Sequence, residues 1–203
     1  DYIVSLGAKP SFKHYQGYPA TICASINEEV VHGIPSKHRI LEEGDIISID
    51  VGACYKGYHG DAARTFPVGK IDAKKKRLIK VTEESFFEGI KNIRAGSYVV
   101  DISLAVQTYV EKNGFSIVRE LTGHGVGSEL HEDPMIPNYG KMGAGAKLVK
   151  NMVVAVEPMV NMGERYVQFL SDGWTCVTRD KLPAAHYENT ILITENGVEI
   201  LTL

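Results

Sequence analysis

The spacing of apolar residues changes twice along the chain, and each change marks a change of element. Up to residue 66 the pattern is that of strands. Residues 21–32 alternate well enough to predict a hairpin, Thr21 to Ser25 and Glu29 to His32, turned by Ile26-Asn27-Glu28. A second hairpin is predicted from Ile46 to Tyr55 and Tyr58 to Phe66, with Lys56-Gly57 as a two-residue turn. That register sets Tyr55 opposite Tyr58 and Gly52 opposite Asp61, so Asp50 lies diagonally beside Asp61 on one face. From Asp72 the period lengthens to that of a helix running to about Arg94. Asp72 is its N-cap, Leu78, Val81, Phe86, Ile90 and Ile93 face inward, and Gly96 ends it. A second helix, from about Asp101 to Asn113, turns Ile102, Val106, Tyr109 and Val110 inside and stops at Gly114. Short strands follow at 116–120, 147–156, 165–171, 174–178, 187–194 and 198–202. Strands, two helices and strands again predict an α+β fold with a mainly antiparallel sheet and no domain break.

Against this pattern a few polar residues stand out of place. Asp50 closes the apolar run Ile46-Ile47-Ser48-Ile49, Glu157 follows Met152-Val153-Val154-Ala155-Val156, and Glu188 precedes Asn189-Thr190-Ile191-Leu192-Ile193. A buried carboxylate without a partner costs several kcal/mol, so acids in such strands need partners or metals. Asp50, Asp61, Glu157 and Glu188 meeting at one place would repel one another unless cations filled the gap. With His124, in the glycine-rich segment Gly123-His124-Gly125-Val126-Gly127, they make an oxygen-rich set suited to a pair of divalent metals. The acids also show a faint symmetry, Asp50 and Asp61 in the first half and Glu157 and Glu188 in the second, which predicts two similar halves with the site between them.

Composition narrows the class. With 44% hydrophobic and 23% charged residues over 203 positions, the chain reads as an ordinary soluble globular protein. The 22 basic against 25 acidic residues, net −3, argue against a general nucleic-acid binder. No apolar run approaches a membrane span, and no signal-peptide pattern is visible after Asp1. Cys23, Cys54 and Cys176 form no C-x-x-C pair, so a reducing cytoplasm fits better than a disulfide framework.

Other motifs carry less. H-E-x-x-H, G-x-S-x-G, a Walker loop and a dinucleotide fingerprint are all missing. Gly140-Lys141-Met142-Gly143-Ala144-Gly145 lacks the strand-turn-helix setting of a phosphate cradle. His131, seven residues beyond His124, strengthens a functional reading of that segment. His32 alone, at the end of a strand, reads as structural on burial trends. His14, His38, His59 and His186 are expected to be structural or on the surface. Cys23 has no histidine arrangement to activate it and reads as a small buried side chain. Lys74-Lys75-Lys76-Arg77 reads as a solvated helix face.

Taken together, Val31-His32-Gly33-Ile34-Pro35, Ile49-Asp50-Val51-Gly52, His59-Gly60-Asp61, Gly123-His124-Gly125-Val126-Gly127, Leu130-His131-Glu132-Asp133-Pro134, Val156-Glu157-Pro158-Met159 and Tyr187-Glu188-Asn189-Thr190 resemble the methionine aminopeptidases. The resemblance spans the whole chain. It implies the pita-bread fold, two pseudo-symmetric halves with a curved sheet covered by helices, as one catalytic domain over 1–203. The type I form is implied, because only 157 − 124 = 33 positions separate His124 from Glu157 and the type II helical insertion has no room. The family's N-terminal helices precede the point where this chain begins, so they are expected to be missing.

The resemblance also implies roles. Asp50, Asp61, His124, Glu157 and Glu188 would hold two divalent ions (Co, Mn, Fe or Zn). Asp61 and Glu188 would bridge them, with Asp50 on one ion and His124 and Glu157 on the other. Glu157 would take the proton from the activated water, His131 would stabilise the tetrahedral intermediate, and His32 would contact the scissile nitrogen or leaving group. The substrate's free α-amino group would bind one metal. Tyr15, Tyr18, Cys23 and Trp174 match the positions that wall the methionine pocket, while Phe12 and Leu130 stand at its variable positions. The implied task is removal of the initiator methionine before a small second residue. The partners would be nascent polypeptide N-termini near the ribosome, met by a cytoplasmic monomer that contacts neither membrane nor nucleic acid directly. Two alternatives are an Xaa-Pro aminopeptidase or prolidase on the same fold, and a metal-free binding protein. The first carries a different context around the last glutamate, and the second has lost ligands that this chain keeps.

Overall fold

The computed structural model describes residues 1–141 and 145–202, so the middle of the glycine-rich segment Gly140–Gly145 lies outside the described residues. The α+β expectation holds. Helices Ala73–Ile90 and Val99–Lys112 pack on a nine-stranded sheet, and every ladder among the described strands is antiparallel.

The central hairpin forms in the predicted register. Strands Ile46–Tyr55 and Tyr58–Pro67 pair Tyr55 with Tyr58, Gly52 with Asp61 and Asp50 with Ala63. Lys56 (φ 51°) and Gly57 (φ 89°) both take the left-handed conformation that a tight two-residue turn demands. Because the turn has only two residues, the register of all ten pairs follows from it.

Along the main path the sheet runs Lys9–Pro10, Ile46–Tyr55, Tyr58–Pro67, Glu188–Ile193, Val153–Val156, Thr122–Gly125, Glu132–Pro137. The hairpin bearing Asp50 and Asp61 therefore lies beside the pair that bears Glu188 and leads into Glu157. The two meet where Ala63 opposes Glu188. Arg64 staples this seam. Its Nη1 donates to the carbonyls of Glu188 (2.5 Å) and Ala63 (2.8 Å), and its Nη2 to Asn189 Oδ1 (2.7 Å). The guanidinium also stacks 4.2 Å from the Tyr187 ring centroid.

The core lies between the helices and the sheet. Leu78, Val81, Phe86 and Ile90 of the first helix and Ile102, Val106 and Val110 of the second are buried with Val154, Val156, Ile191 and Ile193. Asp72 caps the first helix by accepting from the Lys75 amide at 2.8 Å. Gly89 lets the helices approach closely, since a Cβ there would stand 2.6 Å from a Val106 methyl. The first helix ends at Ile90, with Ile93 buried in the turn that follows. The second starts at Val99, where Asp101 lies in the first turn and accepts from the Tyr98 amide at 2.7 Å.

Several sequence expectations are corrected. Residues 21–32 do turn at Asn27 (φ 51°), but strands Cys23–Ile26 and Glu29–Val31 part company. The first pairs with Ile46–Tyr55 and the second with Cys176–Thr178. Alternation reveals strands but not their partners. The strand expected over 147–156 is confined to Val153–Val156. Leu148 instead bonds the interhelical loop at Ser97 and Gly96, and Asn151 (φ 69°) turns the chain. Strands Lys9–Pro10, Thr122–Gly125, Glu132–Pro137, Met159–Asn161 and Ala184–His186 were not expected. They are rich in glycine or proline, or too short for a periodic signal. No helix among the described residues is long and apolar enough to cross a membrane.

Candidate metal centre and substrate cavity

Each side chain of the centre is delivered by a backbone that something else holds. Asp61 is locked to the neighbouring strand by Thr190, whose Oγ1 accepts from the Asp61 amide (2.8 Å) and donates to its carbonyl (2.9 Å). Asn138 Nδ2 donates to the Glu157 carbonyl at 2.8 Å. Gly123 and Gly125 flank His124 because a Cβ at either would run into backbone, the Ala155 carbonyl or that of Asp133. Their close approach lets His124 pair opposite Ala155, one strand from the acids. Since a carbonyl can only accept, His124 Nδ1 donates to Gly125 O (2.9 Å), which leaves Nε2 bare and 3.6 Å from Glu157 Oε1. A histidine held this way presents a lone pair, as a metal ligand must.

The acids are buried together. Asp50 is 9% exposed, Asp61 4% and Glu188 2%, so solvent cannot screen their mutual repulsion. Burial first, and the neighbouring carboxylates second, hold Asp50 and Glu188 well above the usual carboxylate range. Glu157 is raised in the same way, and burial pushes Asp61 up to about 6. His124 is lowered by burial and stays a neutral donor of electrons. Among the described residues, Asp50 Oδ1 and Asp61 Oδ1 are buried without a hydrogen-bond partner. Asp61, His124 and Glu188 each offer a ligand atom within 4.8 Å of the others, and Asp50, His186 and Glu188 do the same. Glu188 belongs to both groups. Orphaned oxygens, a shared carboxylate and a bare imidazole nitrogen are compatible with a dinuclear site for divalent cations.

The acids form one end of a cavity of about 320 Å³. All the residues singled out from the sequence line it: Tyr15, Tyr18, Cys23, His32, His131 and Trp174 together with Asp50, Asp61, His124, Glu157 and Glu188. Phe12 and Leu130 add apolar surface, and Gln16 (φ 47°), which no sequence pattern flagged, also borders it. The apolar wall is built by packing. Tyr18 meets Trp174 edge-on with centroids 5.0 Å apart, and its hydroxyl donates to the carbonyls of Ile22 and Gly33, each at 3.1 Å. Burial, reinforced by the nearby Asp50 charge, drives the Cys23 thiol far up, so it serves as wall and not as nucleophile.

Two histidines line the cavity near the acids. His32 holds a left-handed φ of 61°, an uncommon conformation for a side chain of its size and one that clusters at functional sites. His131 packs 4.1 Å from the His124 ring centroid, and its Nδ1 lies 2.7 Å from Tyr15 Oη. Burial and the neighbouring His124 and His32 lower His131 to about 4, so it is neutral near pH 7.

One histidine that the sequence left in a background role sits here too. His186 is 2% exposed, and its Nε2 is 3.8 Å from both Glu157 Oε2 and Glu188 Oε2. A single histidine two residues before an acid carries no motif, so only the fold could place it.

Comparison with known proteins agrees with this geometry. The profile of metallopeptidase family M24 matches residues 4–195. A methionine aminopeptidase of Clostridium acetobutylicum is 58% identical over 203 residues, covering all of this chain and 81% of the relative. Methionine aminopeptidase 1 of Bacillus subtilis is 55% identical over 201 residues, 99% of this chain and 81% of the relative. Among solved structures, a methionine aminopeptidase from Thermotoga maritima superposes with a TM-score of 0.97 at 52% identity, over 98% of this chain and 80% of that one. A prolidase from Pyrococcus furiosus shares the fold more distantly, with a TM-score of 0.72 at 26% identity over 90% of this chain and 48% of that one. The architecture shared with these structures is the pita-bread fold.

Proposed function

The chain belongs to metallopeptidase family M24, and we propose that it is a methionine aminopeptidase that removes the initiator methionine from proteins and peptides whose second residue is small. The observation that carries this reading is one cavity lined by four carboxylates, three buried and Glu157 half-buried, by a bare imidazole, and by an apolar wall. The carboxylate end suits a free α-amino group and the activation of water. The wall of Phe12, Tyr18, Cys23 and Trp174 suits an unbranched thioether. The prolidase reading has the same fold, but its structural neighbour is far less similar than the methionine aminopeptidases.

In this proposal Asp50, Asp61, His124, Glu157 and Glu188 would together hold two divalent ions. The ions are of the Mn, Fe, Co or Zn class. When bound, they supply Lewis-acid activation of water and of the peptide carbonyl. Glu157 accepts the proton of the attacking water and passes it to the leaving amine. His131 stabilises the developing oxyanion by donating a hydrogen bond. A neutral imidazole has one proton, so donation from Nε2 requires Nδ1 to accept, and the Tyr15 hydroxyl at 2.7 Å is placed to donate to it. His32 contacts the scissile nitrogen or leaving group. The protein acts as one catalytic domain and a cytoplasmic monomer on nascent chains near the ribosome.

Comparing Met-Ala-Ser with its N-acetylated form tests the function. Release of methionine from the free peptide alone is expected, and equal cleavage of the blocked peptide would defeat the aminopeptidase reading. The role of His131 makes a second expectation. His131→Ala should lower kcat by about 100-fold, the usual cost of losing one oxyanion donor. Tyr15→Phe, which keeps the wall but removes the hydroxyl, should lose about 10-fold, with little change in KM. Steady-state kinetics on Met-Ala-Ser checks both, and an unchanged kcat in His131→Ala would remove that residue from catalysis.

A further inference from the structure

His186 has a clamped backbone and an unclaimed head. Its amide donates to Thr65 Oγ1 (2.9 Å), and Thr65 Oγ1 donates back to its carbonyl (2.8 Å). Ser48 Oγ braces Thr65 from the other side at 2.8 Å. Strand Ala184–His186 is fixed further by its ladder to Met159–Asn161. The ring itself has no hydrogen-bond partner at either nitrogen among the described residues, although it is 2% exposed. A histidine retained only to fill space would satisfy at least one nitrogen, because an orphaned buried donor is costly.

The head points at the acids. Nε2 stands equidistant, 3.8 Å, from one oxygen of Glu157 and one of Glu188. That is beyond a hydrogen bond to either, yet a carboxylate movement of about 1 Å toward the ring would close one. The ring proton belongs on the nitrogen that faces two acceptors.

We propose that His186 is a positioning residue. Its Nε2–H stands in the gap between Glu157 and Glu188 and holds the two carboxylates in the rotamers that receive metal and, for Glu157, the proton of the attacking water. The proposal rests on the reading of Glu157 and Glu188 as metal ligands given above. It differs from a ligand role, in which Nε2 would present a lone pair, as His124 does with its Nδ1 donating to Gly125; His186 Nδ1 has no such acceptor.

Three variants separate the readings. His186→Gln places an amide donor near the Nε2 position, His186→Asn places one near Nδ1, and His186→Leu has none. Mn(II) affinity by calorimetry and kcat and KM on Met-Ala-Ser are measured on chelator-stripped, reloaded protein, with the unfolding temperature of the metal-free protein alongside. His186→Leu and His186→Asn should lose about 10- to 100-fold in metal affinity and kcat, the usual cost of removing a group that orients a metal ligand. KM should stay within about threefold. His186→Gln should recover to within about threefold of the parent, and metal-free unfolding temperatures should not follow the same order. Equal behaviour of all three variants would overturn the proposal, as would losses that track metal-free stability. So would two imidazole nitrogens bound to Mn(II) in pulsed EPR of the parent protein, in place of the one expected from His124. A parent that takes up no Mn(II) and releases no methionine would instead defeat the underlying reading, and the His186 role with it.

Discussion

Glu157→Gln is expected to lower methionine release from Met-Ala-Ser by about 1,000-fold or more, since it removes the general base and weakens a metal ligand together. The fold should survive. Glu157 emerges just beyond the end of strand Val153–Val156, and its backbone carbonyl is held by Asn138 regardless of the side chain. Without metal the variant should be at least as stable as the parent, because the substituted amide would carry no charge into a cluster where burial and repulsion already raise the carboxylates. Kinetics and thermal unfolding of the metal-free forms check the two halves of this expectation. Full activity in the variant would remove Glu157 as the base.

The second large effect is the link between metal and pH. Asp50, Glu157 and Glu188 are held well above the ordinary carboxylate range by burial and by one another, and Asp61 rises to about 6. A carboxyl whose pKa is raised on folding binds more protons folded than unfolded, so its contribution to stability is lost as pH rises toward the folded value. His32, His124, His131 and His186 are lowered, which acts in the opposite sense, fully below the ordinary histidine value of about 6.5 and less and less above it. Between pH 6.5 and 8 this opposing effect fades as the unfolded histidines lose their protons, and the raised acids set the direction.

In that window the metal-free protein should lose stability as pH rises. A carboxyl protonated in the folded chain and ionised in the unfolded one changes stability by up to about 1.4 kcal/mol per pH unit. At about 2–4 °C per kcal/mol for a chain of this size, the unfolding temperature should fall by several degrees. Binding a divalent ion requires the same protons to leave, so the metal-loaded protein should hold nearly steady and metal affinity should rise with pH. A gap between loaded and metal-free unfolding temperatures that stays constant from pH 6.5 to 8 would contradict the clustering of these acids.

How far the sequence carried depended on the range of the interaction that decides each element. The hairpin bearing Asp50 and Asp61 was readable to the single pair, because a two-residue turn at Lys56-Gly57 leaves one register open. Both helices were readable from their apolar period and from Asp72, with ends shifted by a few residues where Ile93 packs as a turn and Asp101 lies inside the first turn. The partners of strands Cys23–Ile26 and Glu29–Val31 were not readable, since each pairs with a strand distant in the chain. Thr122–Gly125 looks like a loop in sequence because its glycines, which usually weaken strands, are here the condition for laying His124 against Ala155.

The candidate site divides in the same way. The side chains named from motifs gather around one cavity, since acids in apolar strands are conspicuous and their order along the chain is distinctive. What they do there is the proposal made above. Tyr15's bond to His131 spans 116 positions and no spacing announces it. His186 offers no pattern at all; only the folded neighbourhood of Glu157 and Glu188 gives it meaning.

The most direct test of the account is a titration of chelator-stripped protein with Mn(II), following product release from Met-Ala-Ser and from an Xaa-Pro peptide. The account predicts no turnover without metal, and methionine release alone as Mn(II) is added. Turnover that persists without metal, cleavage of the Xaa-Pro peptide in preference, or no cleavage with Mn, Fe, Co or Zn would contradict it.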